Sequence, residues 1–234
     1  MSKKQTHKNN IFLKYKEDSP ESIECRRIYA KLRNLKSPSK TNKVMITSSI
    51  SGEGKSTIST ILAITYARYE MGNILLIDYD LRRPQIHNIM DIEQENGLAE
   101  ILQGKTSSQN IIKDTDIENL KVITSGSVKE KPSKLINSSR IEKFFKELKN
   151  NFNTIIFDTP PVLPVSDSLV LTPVVDATVL IIKVGKTKKE LVRRAVDLLK
   201  EAGVNTISIL ANNLESVLPY YYEYQYYGYY KYNS

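Results

Sequence analysis

A glycine-rich turn at residues 51–57 constrains the fold of this chain more than any other feature. It reads SGEGKST and stands between a short β-branched run, KVMITSS, and an apolar helical segment, STISTILAITYARYEMG. Gly52 and Gly54 let backbone amides approach an anion without a Cβ in the way. Lys55 supplies a cation for phosphate oxygens and the Ser56 hydroxyl is a suitable Mg²⁺ ligand. The helix that follows adds the positive end of its dipole.

The flanking segments strengthen this interpretation. The general pattern for such a loop has glycine at position 49, where this chain has Ser49. A strand before the turn and a helix after it are nevertheless the structural context that the pattern requires. We therefore predict a nucleotide-binding loop whose contacts come from Ser51, Gly52, Glu53, Gly54, Lys55, Ser56 and Thr57.

Three aspartates follow two other apolar runs. Asp78 and Asp80 lie in ILLIDYDLRRP, and Asp158 lies in TIIFDTPP. The carboxyl ends of the strands in an open parallel sheet form one ligand-binding edge, so we expect these carboxylates to converge with Lys55. Three carboxylates beside a polyphosphate need a metal ion to neutralise them, which predicts ATP bound together with Mg²⁺.

Strand-like and helical segments alternate along the chain. The strand-like runs are almost continuously Ile, Val and Leu, which is typical of parallel strands buried on both faces. The order predicts an α/β fold with a parallel central sheet and helices on both faces. Predicted strands cover residues 43–49, 73–78, 119–126, 152–158, 176–184 and 205–213, and predicted helices cover 20–35, 56–72, 96–104, 138–151 and 188–203.

The basic excess of the chain lies near its N-terminus. The chain has 34 Lys and Arg against 26 Asp and Glu, a net charge of +8, and residues 1–43 hold twelve basic and four acidic residues. We therefore predict three parts: a basic arm with one helix at 1–43, a catalytic domain at 44–218 and a tail at 219–234. The arm could face anionic lipid, nucleic acid or an acidic partner, or simply be solvated. The apolar side of its helix is predicted to carry Ile23, Ile28, Leu32 and Leu35.

Several protein classes are excluded by composition. No run of 18 uncharged apolar residues occurs, so no membrane span is predicted. The start, MSKKQTHKNN, lacks the apolar core of a secretory signal. The single cysteine, Cys25, excludes a disulfide framework and fits a reducing compartment. These features predict a cytoplasmic protein.

The C-terminal tail is unusually rich in tyrosine. It reads PYYYEYQYYGYYKYNS and holds nine of the fourteen tyrosines of the chain, with no Leu, Ile, Val, Phe or Trp. A core strand would include aliphatic residues, so the tail is not part of the predicted sheet. The nine are Tyr220, Tyr221, Tyr222, Tyr224, Tyr226, Tyr227, Tyr229, Tyr230 and Tyr232.

Together these motifs resemble a known family. The series GEGKST, then an apolar run with DYDLRRP, then an apolar run with DTPP, is similar to the deviant-Walker ATPases, which share the P-loop NTPase fold of the MinD and ParA type. Within them the chain looks most like the bacterial tyrosine kinases of capsular and exopolysaccharide synthesis. The resemblance covers roughly residues 19–234 and includes TSGS at 124–127, VSDSLVL at 165–171 and the tyrosine cluster.

The resemblance implies a protein-tyrosine kinase that uses ATP and Mg²⁺ and phosphorylates its own tail. It implies that Lys55 stabilises charge on the transferred phosphoryl group, while Ser56 ligates Mg²⁺. Asp78 is the candidate that accepts or orients the tyrosine proton, and Asp80 and Asp158 are candidates to hold Mg²⁺ through water. The division between Asp78 and Asp80 stays open. Asn212 matches the position where relatives contact adenine.

The resemblance also implies partners. Family kinases of this size act as cytoplasmic subunits that a transmembrane polysaccharide co-polymerase recruits to the inner face of the membrane and activates. A protein-tyrosine phosphatase and further copies of the kinase, assembled as a ring, complete the expected set, and no nucleic acid is expected. The ring signature E-x-x-R-x-x-R is degraded here: one register keeps Glu24 and Arg27 but has Ala30 in third place, and the other keeps Arg26 with Ile23 and Tyr29 at the ends. In the loop, Ser51 replaces a proline.

Two other functions compete with the kinase. A partition or positioning ATPase would share the fold, but it would carry a lysine near the start of the loop, where this chain has Ile50 and Ser51, and it would lack the tyrosine tail. A nucleic-acid binding module could use the tail for base stacking. The balanced charge of residues 44–234 argues against a groove for nucleic acid.

Overall fold

The fold is a single seven-stranded sheet with helices on both faces. The computed structural model describes residues 20–33, 41–70, 72–148 and 151–213; the basic residues before 20 and the tyrosine cluster lie outside this part. The strands run in the order β3-β4-β2-β5-β1-β6-β7. They are β1 (Asn42–Ser48), β2 (Ile74–Asp78), β3 (Lys113–Asp114), β4 (Leu120–Ile123), β5 (Thr154–Asp158), β6 (Ala177–Lys183) and β7 (Ile207–Asn212).

The sheet confirms the predicted fold class with one correction. Strands β1, β2, β4, β5, β6 and β7 pair in parallel, but β3 pairs with β4 antiparallel and forms an edge that was not predicted. Strand β3 has only two residues, Lys113 and Asp114, which are too few and too polar for a periodic signal. Strands β2 and β5 are buried along their whole length, as their apolar sequences predict.

Helices form two layers. They are α1 (Pro20–Leu32), α2 (Lys55–Tyr69), α3 (Ile86–Met90), α4 (Leu98–Leu102), α5 (Pro132–Leu135), α6 (Ser138–Leu148) and α7 (Lys189–Glu201). The short helices α3 and α5 were not predicted, and neither were two 3₁₀ segments, Ser108–Asn110 and Asp167–Val174. The second of these lies shortly before β6.

Alternate residues of each strand enter two separate cores. Ile74 and Leu76 of β2 pack in the core that α1, α2 and α3 cover. Leu75 and Ile77 pack in the other core, which α4 to α7 cover. The central strands β2 and β5 are therefore buried along their whole length, and a ligand can reach them only at their ends.

Helix α1 packs with a face that matches the predicted one only in part, since Leu32 and Ile28 pack at the core as predicted but Cys25 and Tyr29 are buried as well. Cys25, Tyr29 and Leu32 are buried, whereas Ile23 and Ile28 are only half-buried, and Leu35 lies outside the described residues. The rings of Tyr29 and Tyr66 meet edge-to-face with centroids 4.7 Å apart. The Tyr29 hydroxyl donates to the Tyr69 carbonyl oxygen (3.0 Å), so α1 is fastened to the C-terminal end of α2.

Candidate functional site

The sequence-predicted carboxylates lie at one edge of the sheet. Asp78 and Asp158 end the neighbouring strands β2 and β5 and are direct partners in their register. Ile46 of β1 pairs with Asp158 on the other side, so the loop that follows β1 starts at the same edge. The convergence expected from parallel strand ends is therefore present.

The glycine-rich turn has the backbone of a phosphate-binding loop. Gly52 and Gly54 adopt positive φ angles of 81° and 91°, which favour glycine. A Cβ on Gly54 would lie 2.4 Å from Nδ2 of Asn212, so the loop passes too close to β7 for a side chain there. Lys55 opens α2 and is only 8% exposed, which holds its ammonium group at the base of the loop.

Glu53 holds this loop from behind. Its side chain is fully buried; Oε2 accepts a hydrogen bond from the Ile50 amide (2.9 Å), and Oε1 accepts from the Lys183 amide (3.2 Å) and the Thr187 hydroxyl. The side chain therefore joins the loop to the turn after β6. Any contact between Glu53 and a nucleotide would come from its backbone, and that contact stays a prediction.

Asn212 also contacts the loop. Its Nδ2 donates to the carbonyl oxygen of Glu53 (2.9 Å), and its Oδ1 accepts from the Asn213 amide (2.8 Å). The side chain thus fixes the position of the loop against the end of β7. The adenine contact inferred from the resemblance stays a prediction.

Asp78 is buried, and only one of its two carboxylate oxygens accepts hydrogen bonds from described residues. Its Oδ2 accepts hydrogen bonds from the amides of Gln85 (3.1 Å) and Ile86 (3.0 Å), at the start of α3. Its Oδ1 has no partner among the described residues. Burial, followed by the negative charge of Asp158, raises the pKa of Asp78 well above its ordinary value.

Asp158 has a similar arrangement. The Ser59 hydroxyl donates to Oδ1 (3.0 Å), while Oδ2 has no partner within the part of the chain that the structure describes. Burial raises the pKa of Asp158 to about 6, although Lys55 and the hydroxyls of Ser56 and Ser59 oppose the shift. The two carboxylates therefore offer two buried oxygens, one on each strand end, that nothing described occupies.

Asp80 lies nearer to solvent. Its Oδ1 accepts hydrogen bonds from the amides of Arg82 (3.2 Å) and Arg83 (3.0 Å), so the DLRRP turn wraps around it. Arg82 then reaches to Asp167: its Nε and Nη2 bond the two carboxylate oxygens at 2.6 and 3.1 Å. Asp167 is not among the predicted site residues, although it lies in the VSDSLVL motif that carries part of the resemblance.

A cleft of about 590 Å³ opens above these groups. One wall of the cleft is the phosphate loop. The opposite wall carries charged side chains from the turn after β2 and apolar side chains from the turn after β5. Of the predicted residues, the cleft is lined by Ser51, Gly52, Gly54, Lys55, Ser56, Thr57 and Asp80. The other predicted residues are not part of the cleft lining. They lie behind the loop or beneath the cleft, and they are Glu53, Asp78, Asp158 and Asn212.

The donor set fits Mg²⁺ bound together with a polyphosphate. In the described ranges no three His, Cys, Asp or Glu side chains lie close enough to form a metal cage of their own. Mg²⁺ commonly takes one or two protein oxygens and completes its shell with phosphate and water, unlike a metal held by a full protein cage. The Ser56 hydroxyl and the free carboxylate oxygens are ligands of the right kind.

Similarity to known proteins decides the family. The chain matches the family described as an AAA domain over residues 41–215. It is 34% identical over 226 residues to the putative tyrosine-protein kinase CapB of Staphylococcus aureus, covering 96% of this chain and 99% of CapB. It is 33% identical over 219 residues to the tyrosine-protein kinase YwqD of Bacillus subtilis, covering 94% and 91% of the two chains.

The chain belongs to the bacterial tyrosine-protein kinases. Among solved structures, it resembles the chimerical protein CapA2B2 (TM-score 0.78, 30% identity, 86% of this chain and 88% of that one). It also resembles the kinase domain of Escherichia coli tyrosine kinase ETK (TM-score 0.77, 28% identity, 91% and 86%). The cell division ATPase MinD of Pyrococcus furiosus is more distant (TM-score 0.61, 21% identity, 71% and 69%) and shares the fold alone. The kinase is thus favoured over the positioning ATPase.

Some features of this kinase site were not foreseen. The Ser59 hydroxyl on Asp158 and the Thr187 hydroxyl on Glu53 are contacts between distant parts of the sequence, which no local motif indicates. The Arg82–Asp167 pair had a local signal on each side but nothing that joined them. In the described part of the chain, no helix is long and apolar enough to cross a membrane.

Proposed function

We propose that this kinase transfers the γ-phosphoryl group of ATP to tyrosines of the C-terminal cluster, residues 219–234, of another copy of the chain. The observation that carries the proposal is the cleft itself, in which a phosphate loop with Lys55 at its base faces the carboxylate of Asp80. The nine tyrosines of the cluster supply acceptors in the same molecule.

The residues of the cleft divide the chemistry as follows. Amides of the loop and the Lys55 ammonium bind and neutralise phosphate oxygens. When bound, Mg²⁺ adds charge neutralisation; Ser56 is its proposed direct ligand, with Asp80 and Asp158 acting through water. Asn212 is proposed to contact the adenine edge while it holds the loop.

The tyrosine hydroxyl has a pKa near 10 and must lose its proton as it attacks. We assign the accepting or orienting role to Asp78, because its Oδ1 has no partner among the residues that the structure describes. Asp80 is the alternative, since it lines the cleft and Asp78 lies beneath it. Asp78→Asn and Asp80→Asn variants with separate kcat values for a tyrosine peptide and for water would distinguish the two.

The physiological setting is also a proposal. We infer that the kinase regulates capsular or exopolysaccharide polymerisation and export from the cytoplasmic side of the membrane. A transmembrane co-polymerase would recruit and activate it, a phosphatase would reverse the modification, and copies of the kinase would assemble as a homo-oligomer. The likeness to CapB and to the chimerical CapA2B2 supports this setting.

The experiment combines the purified full chain, ATP, Mg²⁺ and the cytoplasmic C-terminal peptide of the proposed transmembrane co-polymerase, which serves as the activating peptide. Mass spectrometry should find phosphate on several tyrosines between 220 and 232, and none in the Lys55→Met variant. If ATP is instead hydrolysed in response to DNA or lipid vesicles, with no phosphotyrosine formed, the chain acts as a partition or positioning ATPase.

A further inference from the structure

Two adjacent arginines at the cleft are used differently. Arg82 forms the two-point ion pair with Asp167, whose carboxylate is only 6% exposed. Arg83 is exposed at the rim of the cleft, and its guanidinium makes no hydrogen bond or ion pair with any residue that the structure describes. Its backbone amide is nevertheless fixed by Asp80, at 3.0 Å. The chain therefore fixes the backbone of a cationic residue at the edge of the cleft while its guanidinium has no described partner.

The wall beside Arg83 is apolar. Four side chains there come from the DTPPVLPV turn, and one comes from α3; they are Pro160, Pro161, Pro164, Val165 and Ile89. Proline and aliphatic side chains form a surface that suits the flat face of an aromatic ring. An aromatic acceptor with a nearby acid would fit this wall and the guanidinium together.

We propose that Arg83 selects the acceptor by binding the carboxylate of Glu223 in the tail of a second copy. This inference rests on the proposed function and adds a specificity-determining residue to it. Glu223 is the one acidic residue between Pro219 and Ser234, and the tyrosines next to it are Tyr222 and Tyr224. A guanidinium matches a carboxylate with two parallel hydrogen bonds, which fixes direction as well as distance.

This contact orders the tail. With Glu223 on Arg83, the phenols of Tyr222 and Tyr224 would be the ones brought to the apolar wall of the cleft. The distal tyrosines, Tyr229, Tyr230 and Tyr232, flank Lys231, which the same guanidinium repels. Tyr222 and Tyr224 are therefore modified before the distal group.

Acceptor peptides isolate this contact. The enzyme is the full chain with all nine tail tyrosines changed to Phe and Glu223 changed to Gln, so that its own tail offers neither acceptor nor anchor. The acceptors are the peptide 219–234 and its Glu223→Gln form. Either Arg83→Gln in the enzyme or Glu223→Gln in the peptide should raise the KM for peptide about three- to tenfold, as expected for one partly solvated ion pair.

The decisive measurement pairs the Arg83→Gln enzyme with the Glu223→Gln peptide. Both together should raise KM no further than either alone, because they remove the same interaction. Arg83→Glu tested with a Glu223→Arg peptide should recover most of the loss. The KM for ATP should stay within about twofold, and Arg194→Gln, which removes one positive charge from the exposed face of α7, should change neither constant.

Other outcomes overturn the inference. Fully additive effects, or peptide KM values unaffected by Arg83→Gln, mean that Arg83 does not bind Glu223. A weaker affinity for ATP with unchanged peptide KM assigns Arg83 to the nucleotide. Thermal unfolding and Arg83→Lys check that a loss is not due to misfolding, since Lys should keep part of the peptide affinity. If the parent enzyme, supplied with the activating peptide, phosphorylates no tail peptide at all, the proposed function fails instead.

Discussion

The two walls of the cleft are built by different means. The phosphate-loop wall depends on backbone: Gly52 and Gly54 set its shape, and Glu53 and Asn212 hold it from behind with buried hydrogen bonds. The opposite wall depends on side chains: Arg82 pairs with Asp167, and the Arg83 side chain at the rim has no partner among the described residues. A backbone wall binds what every nucleotide shares, whereas a side-chain wall can be specific for one acceptor. Damage to the two walls should therefore have different consequences.

The largest effect is expected from the phosphate-loop wall. Lys55→Met should reduce phosphotyrosine formation by at least about 100-fold, because it removes the cation that meets the developing phosphoryl charge. The fold should persist, since Met fills a similar volume at the cleft base. Circular dichroism with quantitative phosphotyrosine detection is the measurement. Activity near that of the parent chain in a folded variant would refute the site assignment.

The second effect is smaller and concerns the carboxylates of Asp80 and Asp158 rather than the loop. Asp80→Asn and Asp158→Asn should each lower turnover of Mg·ATP by about 10- to 100-fold, a typical cost for losing metal support. Binding of ADP without metal should change much less. Calorimetry of ADP with and without Mg²⁺ measures the difference. Equal losses in both conditions would make these residues structural.

The ionisation of Asp158 gives a third effect, on stability. Its folded pKa of about 6 lies above the ordinary value of 3.8, so the folded state binds the proton more tightly than the unfolded state. The free energy of unfolding of the nucleotide-free chain should therefore fall as pH rises from about 4 to about 6, by about 1–3 kcal/mol from this group.

Asp158→Asn removes this titration and provides the control. As pH rises from 4.5 to 7.5, the free energy of unfolding should fall more in the parent chain than in the variant, as measured by urea unfolding at both pH values. Because the Asp158 charge contributes to the raised pKa of Asp78, the variant alters the titration of both carboxylates, and the comparison reports on the pair. A difference that does not change with pH would show that Asp158 is not protonated in the folded state.

The smallest expected change is that of Arg83→Gln, in a comparison of the two arginines of the side-chain wall. Arg82→Gln should lower the free energy of unfolding by about 1–3 kcal/mol, because the buried Asp167 carboxylate loses its partner. Arg83→Gln should change it by less than about 0.5 kcal/mol, as expected for an exposed side chain that contacts no partner in the described part of the chain. Urea unfolding of both variants decides this. Equal losses would contradict the different uses assigned to the two residues.

The sequence predicts the two walls unequally. The strand ends, the loop and the three aspartates were predicted because each is a local pattern, and their convergence follows from parallel strands. Glu53 was predicted only as a loop residue, since its partners, Lys183 and Thr187, are 130 residues or more away in sequence. The Arg82–Asp167 pair spans 85 residues and was missed for the same reason.

The errors in the fold have related physical causes. Strand β3 and the short helices α3 and α5 are formed by tertiary contacts and capping rather than by periodic sequence; α3, for example, begins where the Asp78 carboxylate accepts the Ile86 amide. In α1, the buried Tyr29 carries a hydroxyl that bonds the Tyr69 carbonyl oxygen, so an amphipathic residue packs where a purely apolar face was expected.

A mixing experiment tests the central claim that one copy phosphorylates the tail of another. One chain carries Lys55→Met with its nine tail tyrosines intact, and the other is active but has all nine changed to Phe. With ATP, Mg²⁺ and the activating peptide, we predict phosphotyrosine on the tail of the Lys55→Met chain, between residues 220 and 232, by mass spectrometry. Absence of phosphotyrosine from this mixture, while the unaltered chain alone becomes phosphorylated, would contradict transfer between copies.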